Sequence, residues 1–336
     1  MRTKAALLTA STSLALVLSM AGPASAGVYG GSALDVSNLT LRFFDDNNTQ
    51  ITNLNPEYTF NVEDSATLNG ATDANAGTCG SLTGGCTGSP RLGVPAANAP
   101  GSSIARADTD YSLLGPTGTE TYANSNAEVT TAQLEGDAST RTQQVSENEL
   151  SGSGTAQAST NIQSNTTFEL QFTLLQPGPA SLELRFDANP EMQAVVDLLT
   201  GFTAGLAQAN MTADFTLRRT DGGGEFVNWA PNGVAGDAIC VNVTCSNELD
   251  PESLNETLGA GPGNSSNSHS LGTIASAFAL DIDGLTAGDY SLTLAALTSV
   301  NATQVPEPGS LLLLGAGLAG LGVMARRRRY DSKLAA

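Results

Sequence analysis

Strict alternation of apolar and polar residues predicts β-strands in the second half of this 336-residue chain. Residues 168–174 alternate between the two kinds of side chain, as do residues 182–187, and a period of two turns one face of each segment toward a core. Because residues 177–179 read Pro-Gly-Pro, we expect a turn there and a β-hairpin built from the two segments. Two more hairpins are predicted in the same way: residues 211–218 with 226–229, and residues 271–282 with 290–297.

The first part of the chain predicts shorter strands. Residues 39–44 and 58–62 are rich in β-branched, leucine and aromatic side chains and are bounded by Asn, Asp and Pro, so both are predicted strands. Residues 69–103 are dominated by Gly, Ala, Thr, Ser and Pro. This composition predicts a long loop.

Two segments leave alternatives open. Residues 117–164 contain few large apolar side chains and fit either polar strands at a sheet edge or a flexible spacer. Alternation over residues 127–134 favours strands. Residues 191–199 fit a short helix after Pro190, because their apolar residues share one helical face, but a strand fits nearly as well.

The pattern as a whole predicts a mainly β protein. Short strands that follow one another with turns between them are typical of an antiparallel β-sandwich or a jelly-roll-like fold. The predicted body covers residues 27–304 and has long Gly/Ser/Thr/Asn-rich loops. Within it, residues 27–164 form a loosely organised polar portion and residues 165–304 a clearer sandwich portion.

The N-terminus has the features of an export signal. Arg2 and Lys4 precede an apolar stretch at residues 5–20, and Ala24 and Ala26 mark a small-residue cleavage site. This order predicts a signal peptide at residues 1–26 that is removed after Ala26.

The C-terminus contains a second targeting segment. An apolar run at residues 311–325 follows a proline-rich stretch and precedes an arginine cluster, so it predicts a short transmembrane helix with a cytoplasmic tail at residues 330–336. We expect Pro306 and Pro308 to keep the preceding backbone extended and unable to pair in a sheet. The predicted signal residues are Val305, Pro306, Glu307, Pro308, Arg326, Arg327, Arg328 and Arg329.

This combination of Pro-Glu-Pro, short apolar helix and basic cluster, at residues 305–329, resembles the PEP-CTERM sorting signal of bacterial exosortase substrates. The resemblance implies that an exosortase and the general export machinery act on the chain. It also implies transient anchoring in the inner membrane, cleavage near Pro306, and a final location at the cell surface or outside the cell. An association with exopolysaccharide, biofilm or floc formation is implied in the same way.

Charge excludes one class of partner. The formal net charge is −19, and after removal of both ends the body has seven arginines, no lysine and a net charge of about −24. Such a surface repels nucleic acid and attracts divalent cations weakly. No metal site or cofactor is predicted, because the acidic segments at residues 45–48 and 281–284 fit Asx turns better than a calcium loop.

Four cysteines form two local pairs in the sequence. In an exported chain we expect disulfides between Cys79 and Cys86 and between Cys240 and Cys245. The alternative is a zinc site, but the spacings depart from the usual C-x2-C pattern and no histidine is nearby.

No catalytic motif is present, so we expect a protein that is not an enzyme. The one histidine, His269, lies in a Gly-, Ser- and Asn-rich segment and is predicted to be a solvated loop residue. The one tryptophan, Trp229, fits a place in the sandwich core, and its alternative role is an exposed sugar contact. Three functions follow in decreasing order: a structural or adhesive protein of the surface or matrix, a carbohydrate-binding sandwich of that matrix, and a secreted polysaccharide hydrolase.

Overall fold

The computed structural model describes residues 27–306 except 53, 55, 81–90, 131–139, 152–157, 176–177, 199–201 and 271–274. The predicted signal peptide and most of the predicted sorting segment lie outside this part of the chain. The described residues contain no helix with the length and apolar character needed to cross a membrane. The strands are β1 Gly27–Phe44, β2 Gln50–Ile51, β3 Glu57–Leu68, β4 Ala71–Gly80, β5 Arg91–Gly93, β6 Ala97–Asn98, β7 Thr121–Thr130, β8 Thr140–Ser151, β9 Ala158–Leu174, β10 Ala180–Asp197, β11 Phe202–Arg219, β12 Phe226–Trp229, β13 Ile239–Val241, β14 Thr244–Leu249, β15 Glu256–Ala260, β16 Ser265–Ser270, β17 Ser276–Leu285 and β18 Gly288–Pro306.

These strands form two antiparallel sheets that pack face to face, which confirms the predicted antiparallel sandwich. The first sheet has the order β14-β17-β10-β1-β8-β7-β5, with β16 beside β10, β2 beside β1 and β6 beside β7. The second sheet has the order β13-β12-β11-β18-β9-β3-β4, with β15 beside β11. Each sheet contains strands from before and from after residue 164, so the two predicted portions do not form separate sheets.

Long strands with one apolar face build the core. In β10 the buried positions recur at almost every second residue over its whole length, which is the period of a strand with one face covered. Aromatic rings fill the centre of the core: Phe186 stacks on Phe278 with ring centroids 4.9 Å apart and packs against Trp229 at 5.9 Å. Each such ring contributes on the order of 2 kcal/mol through the area it removes from water.

Small residues form the core at one end of the sandwich. Alanines dominate the cluster there, and two glycines allow the sheets to approach. A Cβ on Gly205 would lie 2.7 Å from Val28 Cγ2, and a Cβ on Gly30 would overlap Val300. We call this the tether end and define it by Gly27, Asp197, Phe202 and Pro306, because Gly27 pairs with Asp197 in the first sheet and Phe202 with Pro306 in the second.

Two of the three predicted hairpins are wrong. Strands β9 and β10 lie in different sheets, and so do β17 and β18, because in each case the connection crosses from one sheet to the other. The apolar faces of each pair therefore meet across the core instead of sharing a sheet. The third prediction is confirmed: β11 pairs with β12, and Phe215 lies opposite Trp229.

The helix alternative for residues 191–199 is also wrong. Residues 191–197 continue β10 beyond Pro190, although proline lacks the N–H that a central strand donates. Position 190 is where the neighbour of β10 changes: Ala188 is the last residue registered with β17, and Glu191 the first registered with β16. A residue without an N–H fits this gap between two neighbouring strands.

Within the polar segment at residues 117–164, residues 121–130, 140–151 and 158–164 are strand, as the alternation favoured, but these strands are not confined to an edge. Strand β8 lies between β1 and β7. The predicted loop at residues 69–103 is wrong in part, because β4 pairs with β3 over ten residues. Strand β1 also begins at Gly27, well before the predicted start at residue 39, so its paired length was underestimated.

Candidate functional site

A covering segment, residues 104–120, lies on the outer face of the first sheet and buries polar side chains of β8. Both faces of β8 are covered, since Ser146 Oγ donates to the Thr298 carbonyl of the second sheet at 3.0 Å while Glu147 faces the covering segment. The four consecutive residues 146–149 are fully buried. This explains a strand that is polar on both faces yet lies inside a sheet.

A buried ion pair holds the covering segment in place. The Arg106 guanidinium contacts Glu147 Oε2, and both side chains are 0 % exposed. Arg106 also donates from Nε to Asn124 Oδ1 at 2.9 Å and from Nη1 to the Ser112 carbonyl at 2.7 Å. The other Glu147 oxygen accepts hydrogen bonds from Tyr29 Oη at 2.7 Å and from the Gly115 amide at 2.9 Å. Every carboxylate oxygen of Glu147 is therefore hydrogen-bonded, as a buried charge requires.

Burial dominates the ionisation of this network. It raises the pKa of Glu147, and the Arg106 charge opposes that rise. Burial together with the Glu147 charge raises the pKa of Tyr29 and Tyr122 far above the usual value, so both phenols stay protonated at any physiological pH. Tyr29 is thus fixed as a hydrogen-bond donor to Glu147.

An open polar cleft of about 570 Å³ lies beside this network, between the covering segment and the first sheet. Tyr111 and Ser112 of the covering segment form one wall, and Asp35, Gln143 and Asn189 of the sheet form the other. Tyr111 is partly exposed. Its hydroxyl donates to Glu128 Oε2 at 2.6 Å, which fixes the ring at the edge of the cleft.

Neighbouring groups hold two cleft carboxylates in place. The Asp35 carboxylate forms a bidentate ion pair with Arg141, in which Asp35 accepts a hydrogen bond from Arg141 Nε at 2.9 Å. For Asp110, burial alone would raise the pKa, but hydrogen bonds from Ser112 and the Arg106 charge outweigh it and keep the pKa below the usual range. Asp110 is therefore ionised at neutral pH. A general acid needs the opposite shift.

The structure places Trp229 in the core. Its side chain is 0 % exposed, and it lines a small apolar cavity of about 70 Å³ between the sheets. The alternative of an exposed sugar contact at Trp229 is wrong, because no part of the ring reaches the surface. His269 lies on β16, not in a loop, and its Nδ1 is 4.0 Å from Glu256 Oε2.

The predicted Asx turn at residues 45–48 is confirmed. Asp45 Oδ1 accepts from the Asn47 and Thr49 amides at 3.0 and 2.7 Å. The Asx turn predicted at residues 281–284 is wrong, because these residues belong to β17, where Asp281 pairs with Arg185 and accepts from Asn247. A group of carboxylates that the sequence did not single out, Asp237, Glu248 and Asp250, has ligand atoms within 4.8 Å of one another.

One predicted disulfide is present: Cys240 is bonded to Cys245. Cys79 is buried and disulfide-bonded, while its predicted partner Cys86 lies outside the described residues. The pairing of Cys79 with Cys86 therefore stays a prediction.

The last described residues connect the sandwich to the predicted sorting segment. Strand β18 lies between β11 and β9 in the second sheet and extends to Pro306, which pairs with Phe202. The expectation that Pro306 cannot pair in a sheet is wrong, because a proline is tolerated at a strand end. Residues 304–329 match the family model described as the PEP-CTERM protein-sorting motif. The chain carries a PEP-CTERM sorting signal. No curated protein and no solved structure was found to match the chain.

The PEP-CTERM signal implies exosortase-dependent sorting of an exported protein that passes through a membrane-anchored stage. Of the predicted signal residues, Val305 and Pro306 belong to β18, and Glu307, Pro308 and the four arginines lie outside the described residues. The Ala24 and Ala26 cleavage site lies outside them as well. The sequence did not point to Arg106 and Glu147. The signal that could have done so is the scarcity of basic residues, since the body has seven arginines against 31 carboxylates and most arginines are therefore expected to have an acidic partner.

Proposed function

We propose that the chain is a non-catalytic protein of the cell surface or extracellular matrix, which an exosortase releases near Pro306 and which has a structural or adhesive role in exopolysaccharide. The observation that carries this proposal is the continuity of β18 with the sorting motif. Because β18 pairs with β11 and β9 along most of its length, cleavage beyond Pro306 leaves the sandwich intact. The released product is then a whole folded body.

The arrangement of the cleft carboxylates supports a non-catalytic role. A hydrolase that uses two carboxylates needs one of them protonated as a general acid. Here Asp35 is paired with Arg141, Glu128 accepts from Tyr111, and the pKa of Asp110 is lowered. The lowered pKa of Asp110 makes this carboxylate unsuited to act as the general acid of such a pair.

Mass spectrometry of surface-extracted protein tests the proposed release. We expect a product that begins at Gly27 and ends near Pro306 in cells with the sorting enzyme, and an uncleaved form in cells without it. Replacing Arg326–Arg329 with alanine should block release, because these charges set the depth of the segment in the membrane. The matched control is Lys333→Ala, which removes a positive charge outside the cluster. A mature form that keeps residues 311–329 in both strains would refute the proposal.

The polar cleft favours polysaccharide binding as the second candidate. A partly exposed tyrosine, Tyr111, beside amide and carboxylate groups offers stacking and hydrogen bonds to a sugar ring. We expect Tyr111→Ala to weaken binding to matrix polysaccharide in affinity electrophoresis. Tyr58→Ala, which removes a partly buried tyrosine of the second sheet, should leave binding unchanged. Release of reducing ends during incubation would instead indicate the hydrolase.

A further inference from the structure

A segment at one edge of the sandwich connects the two sheets. We call this segment, residues 231–250, the edge clasp. Its strand β13 pairs with β12 at the edge of the second sheet, and its strand β14 pairs with β17 at the edge of the first. The disulfide between Cys240 and Cys245 joins the two strands. The clasp therefore links the edges of both sheets.

Three carboxylates of the clasp converge beside this disulfide. Asp237 precedes β13, Glu248 lies on β14, and Asp250 follows it, and one oxygen from each lies within 4.8 Å of the others. Neighbouring groups hold each carboxylate by one oxygen. Asp237 Oδ2 accepts from the Asn232 amide group at 2.5 Å, Glu248 Oε2 from the Ala238 amide at 3.3 Å, and Asp250 Oδ2 from the Asn232 backbone amide at 2.8 Å.

The second oxygens of the two inner carboxylates have no partner. Asp250 is only 4 % exposed, yet its Oδ1 makes no hydrogen bond with any described residue, and the same holds for Glu248 Oε1. A buried carboxylate oxygen without a partner is destabilising, and more so when the group is charged. Burial raises the pKa of Asp250, and the hydrogen bond from the Asn232 backbone amide opposes that rise only in part.

We propose that Asp237, Glu248 and Asp250 bind a calcium ion that ties the edge clasp together. The ligands are oxygen atoms, which suit calcium, and both cysteines of the clasp are consumed by their disulfide, so no thiolate is available for zinc. Asp237 is exposed, so water can complete the coordination from the solvent side. The ion would offset two of the three converging negative charges and supply a partner to the two unpartnered oxygens. It would also connect the residues before β13 to those after β14.

Calorimetric titration of the chelator-treated body with calcium chloride tests this site. We expect a saturable site with a Kd of roughly 10⁻⁴–10⁻³ M, the range of extracellular calcium modules. Calcium at about 10 mM should then raise the thermal midpoint by roughly 3–10 °C. Asp250→Asn and Glu248→Gln keep the hydrogen-bonding oxygen of each side chain but remove the charge, and each should weaken calcium binding by about tenfold or more.

Two comparisons separate this site from general attraction of cations to an acidic surface. Glu63→Gln removes an exposed charge on β3 of the second sheet and should leave the titration unchanged. Magnesium at the same concentration should raise the midpoint much less, because it demands a stricter octahedral geometry. The proposal is overturned if the unaltered protein shows no saturable calcium binding, or if Glu63→Gln weakens binding as much as Glu248→Gln does.

Discussion

Replacing Arg106 with methionine should destabilise the sandwich severely and detach the covering segment. The substitution keeps most of the apolar stem but leaves Glu147 buried with its charge unpaired. Removing one partner of a buried ion pair costs about 3–5 kcal/mol, and Arg106 also contributes hydrogen bonds to Asn124 and to the Ser112 carbonyl. At roughly 2–4 °C per kcal/mol, the thermal midpoint should fall by about 6–20 °C.

Urea unfolding followed by tryptophan fluorescence measures this loss, because Trp229 is the single tryptophan and is fully buried. Arg141→Met is the matched control: its ion pair with Asp35 is also short, but the two side chains are 49 % and 32 % exposed. An exposed pair contributes about 0–1 kcal/mol, so the control should change stability little. The double variant Arg106→Met/Glu147→Gln should recover part of the loss, because it removes the unpaired charge of Glu147. Equal losses for Arg106→Met and Arg141→Met would refute the argument.

Two further predictions concern the core and the acid limit. Phe186→Ala should cost about 3–5 kcal/mol in urea unfolding, because it leaves a cavity beside Phe278, and a loss below about 1 kcal/mol would contradict the packing. Burial alone would raise the pKa of Glu225, but hydrogen bonds from Thr286 and Arg219 outweigh it and lower the pKa. This carboxylate therefore stabilises the fold above its unfolded pKa of about 4.3. The contribution is lost as the pH falls through the lower pKa of the folded state. The stability of Glu225→Gln, measured from pH 7 to pH 2, should therefore fall less on acidification than that of the unaltered protein.

Alternation predicted strands well, but it could not predict which strands pair. A strand with one apolar face can meet its successor either beside it in one sheet or across the core in the other. Residues 168–174 and 182–187 have the same pattern in both cases. Five residues separate β9 from β10 and two separate β17 from β18, and both connections cross between sheets. The β11–β12 hairpin was predictable because residues 222–224 are consecutive glycines, which indicate a tight turn. In the structure two of them, Gly222 and Gly224, have positive φ.

The polar network under the covering segment could not be predicted from the sequence, for a different reason. Carboxylates are almost never fully buried unless they are paired, so the sequence around Glu147 and Glu149 predicts an exposed strand or a strand at a sheet edge. Their burial depends on Arg106 and on the amides of residues 115–118, which are more than 25 residues away in the chain. Only the tertiary structure brings these donors to β8.

The topology determines where the sorting signal on β18 lies relative to the rest of the sandwich. Gly27, which the predicted signal cleavage makes the first residue of the body, lies at the tether end, as does Pro306. Strands β1, β10, β11 and β18 each run the length of the sandwich with 18 or 19 residues, so the opposite end is about 60 Å away. The connections at residues 45–49, 220–225 and 286–287 lie at that far end. A chain that is anchored through Pro306 is therefore attached at one end of the sandwich only. The residues of the open cleft and of the edge clasp are not among the four that define this tether end.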